Sequence, residues 1–454
     1  MFKNDFIWGV AASSYQIEGR DENDGAGLNI WDAFVKEGTI ADGSNADVAC
    51  DMIHRYKEDF EIMKKMGVKA YRFSISWSRL IPDGIGEVNP KAVELYRDML
   101  ISMKENGIRP FVTLFHWEYP LVLEEKGGWV NPESPKWFER YAEVVGENFS
   151  DLCSDFITFN EPQCTISLGY ARGYHAPGKK LPLKDTLLAA HNLLKAHGLA
   201  VKALRRTAPG ARVGYAPTCG VAYPNSDSPA DIEAAKKRYF GFDEDIENWA
   251  WNVTWFLDPV IFGEYPKEGL ELFKDHLFEI TKEDMELIHQ PIDFIGQNIY
   301  NGYPISAGDN GEVTYAKRAV GYNQTAMGWP VTPSVLYWGP RFLYERYHKE
   351  ILITENGMAA CDIVAPDGGI HDGNRIAFLD LYISNLQKAA DEGVPIMGYF
   401  HWSYCDNFEW TDGYTRRFGL VYVDYPTQKR TIKDSGYWYK EVMETNGANL
   451  SINK

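Results

Sequence analysis

The feature that most constrains the fold is a repeated unit in which an amphipathic helix, a glycine and an apolar strand follow one another. The first helical face is formed by Met52, Tyr56, Phe60 and Met63, at spacings of 4, 4 and 3. Gly67 then suits the left-handed position just past the end of a helix, and residues 68–77 form an apolar strand. Such alternation of helices and buried strands indicates parallel βα units.

The unit recurs along the chain, with Gly107 before the strand at 109–115 and Gly393 before the strand at 395–400. Eight candidate strands are Phe6–Ala12, Ala70–Trp77, Pro110–Phe115, Phe156–Asn160, Arg212–Ala216, Phe294–Tyr300, Ile351–Glu355 and Met397–Trp402. Eight is the number that closes a βα barrel. We therefore predict an α/β protein, a (β/α)8 TIM barrel, whose single domain spans residues 1–454 with extended βα loops.

Charge and motifs exclude several classes of function. The formal net charge of −18 argues against nucleic acid or an anionic membrane as partner. An open doubly wound sheet is the structural alternative, but no GxGxxG follows the first strand and no GxxxxGK[ST] occurs, so nucleotide binding lacks support. Scattered cysteines and an N-terminus without a signal pattern predict a cytoplasmic protein. The sequence leaves open whether the protein forms a homo-oligomer.

Polar and aromatic residues follow six of the eight predicted strands, at the ends where barrel enzymes place their chemistry. They are Gln16, His116, Trp117, Asn160, Glu161, Asn298, Tyr300, Glu355, Trp402, Glu409 and Trp410. Glu161 and Glu355 are lone carboxylates on opposite sides of the barrel mouth, and glycoside cleavage requires two carboxyls facing each other. One such Glu is as readily a structural ion pair, but two beside Asn, His and Trp favour catalysis.

Several motifs carry a resemblance to a known family. They are Phe6-Ile7-Trp8-Gly9, Gln16-Ile17-Glu18-Gly19, the run from Tyr71 to Trp77, Asn160-Glu161-Pro162, Ile353-Thr354-Glu355-Asn356-Gly357 and Asp406-Asn407-Phe408-Glu409-Trp410. In this order, from Phe6 to about Tyr439, the chain resembles glycoside hydrolase family 1, the β-glucosidase family. The resemblance implies a retaining β-glycosidase that needs no metal and no cofactor, with a small-molecule β-glucoside or oligosaccharide as its partner.

The resemblance assigns the chemistry to two glutamates. Glu161 matches the acid/base of the family and Glu355 its nucleophile. Arg72 and Tyr300 are expected to keep Glu355 ionised, since an opposite charge and a hydrogen bond both favour the charged form. Asn160 matches the partner of the sugar 2-hydroxyl, and Asn298 is a further supporting residue.

The resemblance also assigns the sugar contacts. Four residues match those that hold the nonreducing sugar in the family: Gln16, His116, Trp117 and Glu409. Trp402 matches the stacking platform under the sugar ring, and Trp410 matches its companion near the 3- and 4-hydroxyls. Trp329 is expected at the entrance. Because Glu409 replaces the serine of relatives that take 6-phosphoglycosides, we expect unphosphorylated substrates such as cellobiose, cello-oligosaccharides and aryl β-glucosides.

Three alternatives stay open: a 6-phospho-β-glucosidase, a transglycosidase on the same site, and a non-catalytic sugar-binding protein. Cys164 and Thr165, and the stretch from Tyr215 to Pro224, depart from the commoner family pattern. These departures leave the leaving-group preference undecided.

Overall fold

Thirteen β-strands run through the computed structural model, which describes residues 2–21, 23–242, 246–309 and 312–453. They are β1 (Ile7–Ala11), β2 (Ala70–Ser74), β3 (Arg109–Phe115), β4 (Asp155–Asn160), β5 (Arg212–Ala216), β6 (Val221–Pro224), β7 (Phe294–Asn298), β8 (Gly302–Ala307), β9 (Val313–Tyr315), β10 (Glu350–Asn356), β11 (Ile396–Trp402), β12 (Val421–Asp424) and β13 (Lys429–Ile432). Eight of them close a parallel barrel in the order β1-β2-β3-β4-β5-β7-β10-β11. The predicted (β/α)8 barrel is confirmed.

All eight predicted strands are present, and three of them end earlier than predicted: β1 by one residue, at Ala11, and β2 and β7 by two or three residues. Strand β2 ends at Ser74 and not at Trp77, because Trp77 already begins a short helix. Strand β7 ends at Asn298 and not at Tyr300. In both places the apolar or aromatic run continues beyond the last ladder hydrogen bond, so residue type alone does not mark the end of the strand.

Helices connect the strands and cover the barrel. They are α1 (Ser14–Ile17), α2 (Ile30–Phe34), α3 (Met52–Lys65), α4 (Trp77–Leu80), α5 (Pro90–Glu105), α6 (Leu121–Glu124), α7 (Ser134–Phe149), α8 (Pro162–Cys164), α9 (Leu183–Thr207), α10 (Pro229–Phe240), α11 (Val253–Phe262), α12 (Lys267–Leu272), α13 (Lys282–Ile288), α14 (Val335–Tyr347), α15 (Gly373–Asp391) and α16 (Asp434–Glu444). A π-helix, Thr165–Ala171, continues α8. No helix within the described ranges is long and apolar enough to cross a membrane.

The barrel interior is a packed core to which every strand contributes. Its members include Ala11, Ala70, Phe111, Ile157, Ala216, Phe294, Leu352 and Phe400, one from each of the eight strands. Glycines make room for the large rings: a Cβ at Gly214 would lie 2.2 Å from the Phe294 ring, and one at Gly9 would lie 2.5 Å from the Phe400 ring. Because this core fills the barrel, a ligand can enter only at its ends.

A small sheet stands beside one end of the barrel. Strands β6 and β8 pair in parallel, and β8 pairs with β9 in antiparallel fashion. Strand β6 follows barrel strand β5 and β8 follows β7, so the small sheet extends the wall beyond the carboxyl ends of these two strands. Its exposed tyrosines, Tyr303 and Tyr315, become part of the cavity described next.

Candidate active site

A cavity of about 890 Å³ opens at the carboxyl ends of the barrel strands. Nine of the predicted site residues line it: His116, Trp117, Glu161, Tyr300, Trp329, Glu355, Trp402, Glu409 and Trp410. These residues are far apart in the chain, and they converge because each one follows or ends a barrel strand or lies in a loop beyond it. Pockets of roughly 300–1,000 Å³ are the usual size for small organic ligands.

Arg72, on β2, is the central cation of the site and is fully buried. Its guanidinium donates to Glu355 Oε1, to Asn160 Oδ1 at 2.6 Å and to Thr113 Oγ1 at 3.0 Å. Planar, permanently charged and rich in donors, this side chain holds Glu355 of β10 and Asn160 of β4 in one fixed arrangement.

Glu355 is bound on both carboxyl oxygens. Arg72 donates to Oε1, and the Tyr300 hydroxyl donates to Oε2 at 2.7 Å. Burial raises the pKa of Glu355, whereas the charge of Arg72 and the hydrogen bonds from Arg72 and Tyr300 oppose that rise. The partners of Glu355 therefore favour its carboxylate form.

Glu161 has neutral partners only. Asn298 Nδ2 donates to Oε1 at 2.9 Å, and Cys164 Sγ lies 3.2 Å from Oε2. Burial and the negative charge of Glu355 raise the pKa of Glu161 to about 7. Asn298 also donates to Asn160 Oδ1 at 2.9 Å, so one amide links the Glu161 side of the cavity to the residues bound by Arg72.

Glu409 adds a third carboxyl to the same cavity. Its Oε2 is buried and has no hydrogen-bond partner within the described structure. Burial and the nearby carboxylates Asp412, Glu355 and Glu161 raise the pKa of Glu409 to about 8. A buried polar atom without a partner is rare and costly unless a ligand or water satisfies it.

Aromatic rings form one wall of the cavity. His116 lies between Trp402 and Trp410, with ring centroids 5.5 Å and 6.0 Å away and nearly parallel planes. Trp117 packs against Trp410 at 4.6 Å, and Trp329 packs against Tyr300 at 5.3 Å. Burial, and then the charge of Arg72, lowers the pKa of His116 well below its usual value, so the imidazole is neutral.

Comparison with known proteins places this arrangement in a family. A family model described as Glycosyl hydrolase family 1 matches residues 1–448. The chain belongs to glycosyl hydrolase family 1. It is 44% identical to β-glucosidase A of Thermotoga maritima over 450 residues, covering 98% of both chains, and 42% identical to β-glucosidase A of Acetivibrio thermocellus, covering 98% of this chain and 99% of the relative.

Solved structures agree with the sequence comparison. The β-glucosidase from Thermotoga maritima in complex with glucoimidazole superposes with a TM-score of 0.89 at 44% identity, covering 98% of this chain and 99% of that chain. The family 1 fold, a closed barrel of eight parallel strands with intervening helices, is thus the fold of this protein. As a family 1 member, the chain is a glycoside hydrolase, an enzyme that acts on O-glycosyl bonds.

Four predicted site residues of this family 1 hydrolase do not line the cavity: Arg72, Asn160, Asn298 and Gln16. The first three form the hydrogen-bonded layer that holds the two glutamates. Gln16 is fully buried, and its amide donates to the Phe408 carbonyl at 2.8 Å and to Asn407 Oδ1 at 3.1 Å. Gln16 therefore anchors the segment directly before Glu409.

Backbone strain in the family 1 fold concentrates at this site. Among the described non-glycine residues, eight have a positive φ, and three of these line the cavity. They are Glu161 (φ 42°), Trp117 (φ 75°) and Trp410 (φ 47°). Non-glycine residues adopt this region at a cost, and such residues cluster at functional sites because the surrounding fold holds them there.

Some lining residues were not predicted as site residues. The cavity wall also includes Cys164, His175, Met327 and Phe418. Cys164 departs from the commoner family pattern, and its thiol contacts Glu161. Its position three residues after Glu161, at the end of the short helix α8, was the available signal, because such a helix brings its last residue back toward its first.

Proposed function

We propose that this glycoside hydrolase is a retaining β-glucosidase, with Glu161 as acid/base and Glu355 as nucleophile. The observation that carries the proposal is the contrast between the two carboxyls. Glu355 is bound by a cation and a phenol, whereas Glu161 is bound by an amide and a thiol. One proton shared between these two groups resides on Glu161, which has no cation beside it.

In the first step, the Glu161 carboxylic acid gives its proton to the glycosidic oxygen as the bond to the anomeric carbon breaks. The Glu355 carboxylate attacks that carbon from the opposite face and forms a glycosyl ester. In the carboxylate form of Glu161, Asn298 donates to Oε1 and the Cys164 thiol donates to Oε2.

In the second step, esterification removes the negative charge of Glu355. Because that charge raises the pKa of Glu161, its loss lets Glu161 act as a carboxylate base. Glu161 then takes a proton from water, and the resulting hydroxide attacks the anomeric carbon. Glu355 leaves as the carboxylate, and two inversions give net retention.

The sugar is held by groups that lack partners in the structure. His116 Nδ1 and Glu409 Oε2 are buried and unsatisfied within the described residues, and both belong to cavity-lining side chains. Hydroxyls of a terminal glucosyl residue would pair with them, donating to Glu409 and bonding to His116. Trp402 offers an aromatic face, and Gln16 contributes by fixing the segment directly before Glu409.

The substrates that fit are terminal nonreducing β-D-glucosides: cellobiose, cello-oligosaccharides and aryl β-glucosides. Two alternatives use the same site. A 6-phosphoglucoside would bring its phosphate near Glu409 and Asp412, which both line the cavity, so like charges disfavour it. A transglycosidase would capture the same ester with an alcohol, and the outcome depends on what binds beside the sugar.

The test compares p-nitrophenyl β-D-glucoside with its 6-phosphorylated form, for wild type and Glu355→Ala. We expect wild type to cleave the plain glucoside, with the first-formed sugar as the β-anomer in proton NMR spectra, and Glu355→Ala to be inactive. Turnover of only the phosphorylated substrate would contradict the role of Glu409. Release of the α-anomer would contradict the retaining mechanism.

A further inference from the structure

The cavity extends well beyond the two catalytic candidates. Its volume of about 890 Å³ lies near the upper end of the roughly 300–1,000 Å³ of small-molecule sites, more than one sugar ring fills. The part away from Glu161 and Glu355 is bounded by the small sheet β6-β8-β9 and by α10. We call this part the outer half. Its distinctive residues are Arg238, Tyr303, Tyr315, Arg318 and Tyr322.

Charges are segregated along this cavity. The carboxyls that line it in the described structure are Glu161, Glu355, Glu409 and Asp412, and the lining cations are Arg238 and Arg318. Glu355 raises the pKa values of Glu161 and Glu409. Burial raises the pKa of Tyr303, and the charges of Arg238 and Arg318 oppose that rise. The carboxyls are therefore close enough to raise one another's pKa values, and both arginines are close to the same tyrosine, Tyr303, in the outer half.

The two arginines are held against tyrosine rings. Arg238 Nε donates to the Tyr315 hydroxyl at 2.7 Å, with its guanidinium 5.6 Å from the ring centroid. The Arg318 guanidinium lies 5.6 Å from the Tyr322 centroid. Tyr303, Tyr315 and Tyr322 are 45%, 54% and 45% exposed, so their rings present wide apolar faces. Half-exposed rings beside fixed guanidinium groups make a platform for an aromatic ligand.

Arg318 keeps donors available for a ligand. It donates to the Gly302 carbonyl at 2.7 Å and contacts the Tyr223 hydroxyl. No carboxylate in the described ranges forms an ion pair with Arg318, although Asp and Glu outnumber Lys and Arg by 64 to 46 in this chain. A guanidinium has five N–H donors in a planar fork that matches a carboxylate.

We propose that the outer half binds the leaving group of the β-glucoside and selects aromatic aglycones that carry a carboxylate. This inference rests on the proposed β-glucosidase function and specifies its substrate class. The aromatic ring lies among Tyr303, Tyr315 and Tyr322, and the carboxylate pairs with Arg318. The net charge of −18 repels anions in general, so local cations at this position are what admit such a substrate.

The experiment uses two matched substrates, the β-D-glucoside of 4-hydroxybenzoate and that of 4-hydroxybenzamide. Variants are Arg318→Gln, Arg318→Lys and the control Lys317→Gln, which removes an exposed neighbouring charge that does not line the cavity. We expect Arg318→Gln to lower kcat/KM for the carboxylate substrate about tenfold, mainly through KM, and to change it less than about twofold for the amide. Arg318→Lys retains most of the preference, and Lys317→Gln matches wild type.

A second readout does not depend on any variant. With wild type, added salt raises KM for the carboxylate substrate and leaves KM for the amide unchanged, since salt screens only the charged pair. Equal losses on both substrates, or no salt effect, overturn this inference and leave the β-glucosidase function standing. A wild-type protein inactive on both substrates and on p-nitrophenyl β-D-glucoside overturns the proposed function as well.

Discussion

Two clusters of buried charges differ in the balance between their carboxyl groups and their cations. The first, the cavity cluster, contains Glu161, Glu355, Glu409 and the single cation Arg72. The second, the balanced cluster, contains three aspartates and three cations: Asp362, Asp372, Asp406, Arg375, Arg417 and Lys433. Asp406 and Glu409 are only three residues apart, yet they belong to different clusters.

The pKa values follow this balance. Burial raises the pKa of Asp362, but ion pairs with Lys433 and Arg375 outweigh it and hold the pKa below its usual value. Glu161 and Glu409 are buried without such compensation, and their pKa values rise to about 7 and about 8. Matched charges fix a structure, whereas a deficit of cations keeps carboxyls able to hold and exchange protons near neutral pH.

The largest expected effect is a loss of activity on substitution of Glu161 in the cavity cluster. Glu161→Ala removes the proposed general acid, and general acid catalysis contributes about 10²–10⁴-fold. We expect kcat/KM to fall by that factor for cellobiose and far less for 2,4-dinitrophenyl β-D-glucoside, whose leaving group needs no proton. Added azide should restore turnover of the activated substrate and yield β-glucosyl azide. An equal loss on both substrates would assign Glu161 a structural role.

A substitution in the balanced cluster should lower the free energy of unfolding and leave kcat unchanged. Lys433→Met removes a buried ammonium that lies 2.6 Å from Asp362 and 2.7 Å from Asp406. Breaking a buried pair costs about 3–5 kcal/mol of the free energy of unfolding, measured by denaturant titration. The control Lys440→Met, at an exposed pair with Glu444, should change it by less than about 1 kcal/mol. The folded Lys433→Met protein should keep kcat for p-nitrophenyl glucoside.

Substitution of Glu409 should increase the free energy of unfolding, whereas substitution of Lys433 should decrease it. Its pKa is about 8 in the folded protein and near the model value of 4.5 when unfolded, so folding takes up a proton between these two values. Glu409 therefore lowers the free energy of unfolding progressively as pH rises from 4.5 to 8. Glu409→Gln removes this cost, and we expect the variant to be more stable than wild type at pH 8 and equal at pH 4, while its KM for glucosides rises. A variant less stable at pH 8 would contradict the unpaired state of Glu409.

The smallest effect is expected at Cys164. Its thiol hydrogen bond lowers the pKa of Glu161, opposing the larger effects of burial and Glu355. Cys164→Ala should move the basic limb of the kcat/KM profile upward by about half a pH unit, since a weak hydrogen bond is worth about 0.7 kcal/mol and one unit of pKa is 1.36 kcal/mol. Cys164→Ser keeps a hydrogen-bond donor, so it should return the basic limb of the kcat/KM profile to the pH of wild type. A purely structural role would change the rate without moving the profile.

The sequence predicts the barrel and most of the cavity because the relevant residues directly follow apolar strands. Glu161 and Glu355 could be identified in this way, since the carboxyl ends of parallel strands meet at one mouth. The complete burial of Gln16 and the contact of Cys164 with Glu161 depend on side-chain packing that spacing does not encode. Arg318 lies in the loop after β9, far from any barrel strand in sequence, so only the folded structure brings it to the cavity.

The central claim is that Glu355 forms a covalent ester while Glu161 transfers protons. The most direct measurement is the intact mass of the protein after incubation with 2,4-dinitrophenyl 2-deoxy-2-fluoro-β-D-glucoside, followed by peptide mapping. The fluorine slows both steps and the good leaving group restores the first, so the ester should accumulate. We predict one added fluoroglucosyl group, located on Glu355. A burst of 2,4-dinitrophenolate release without an adduct on the protein would contradict the account, and so would an adduct on Glu161.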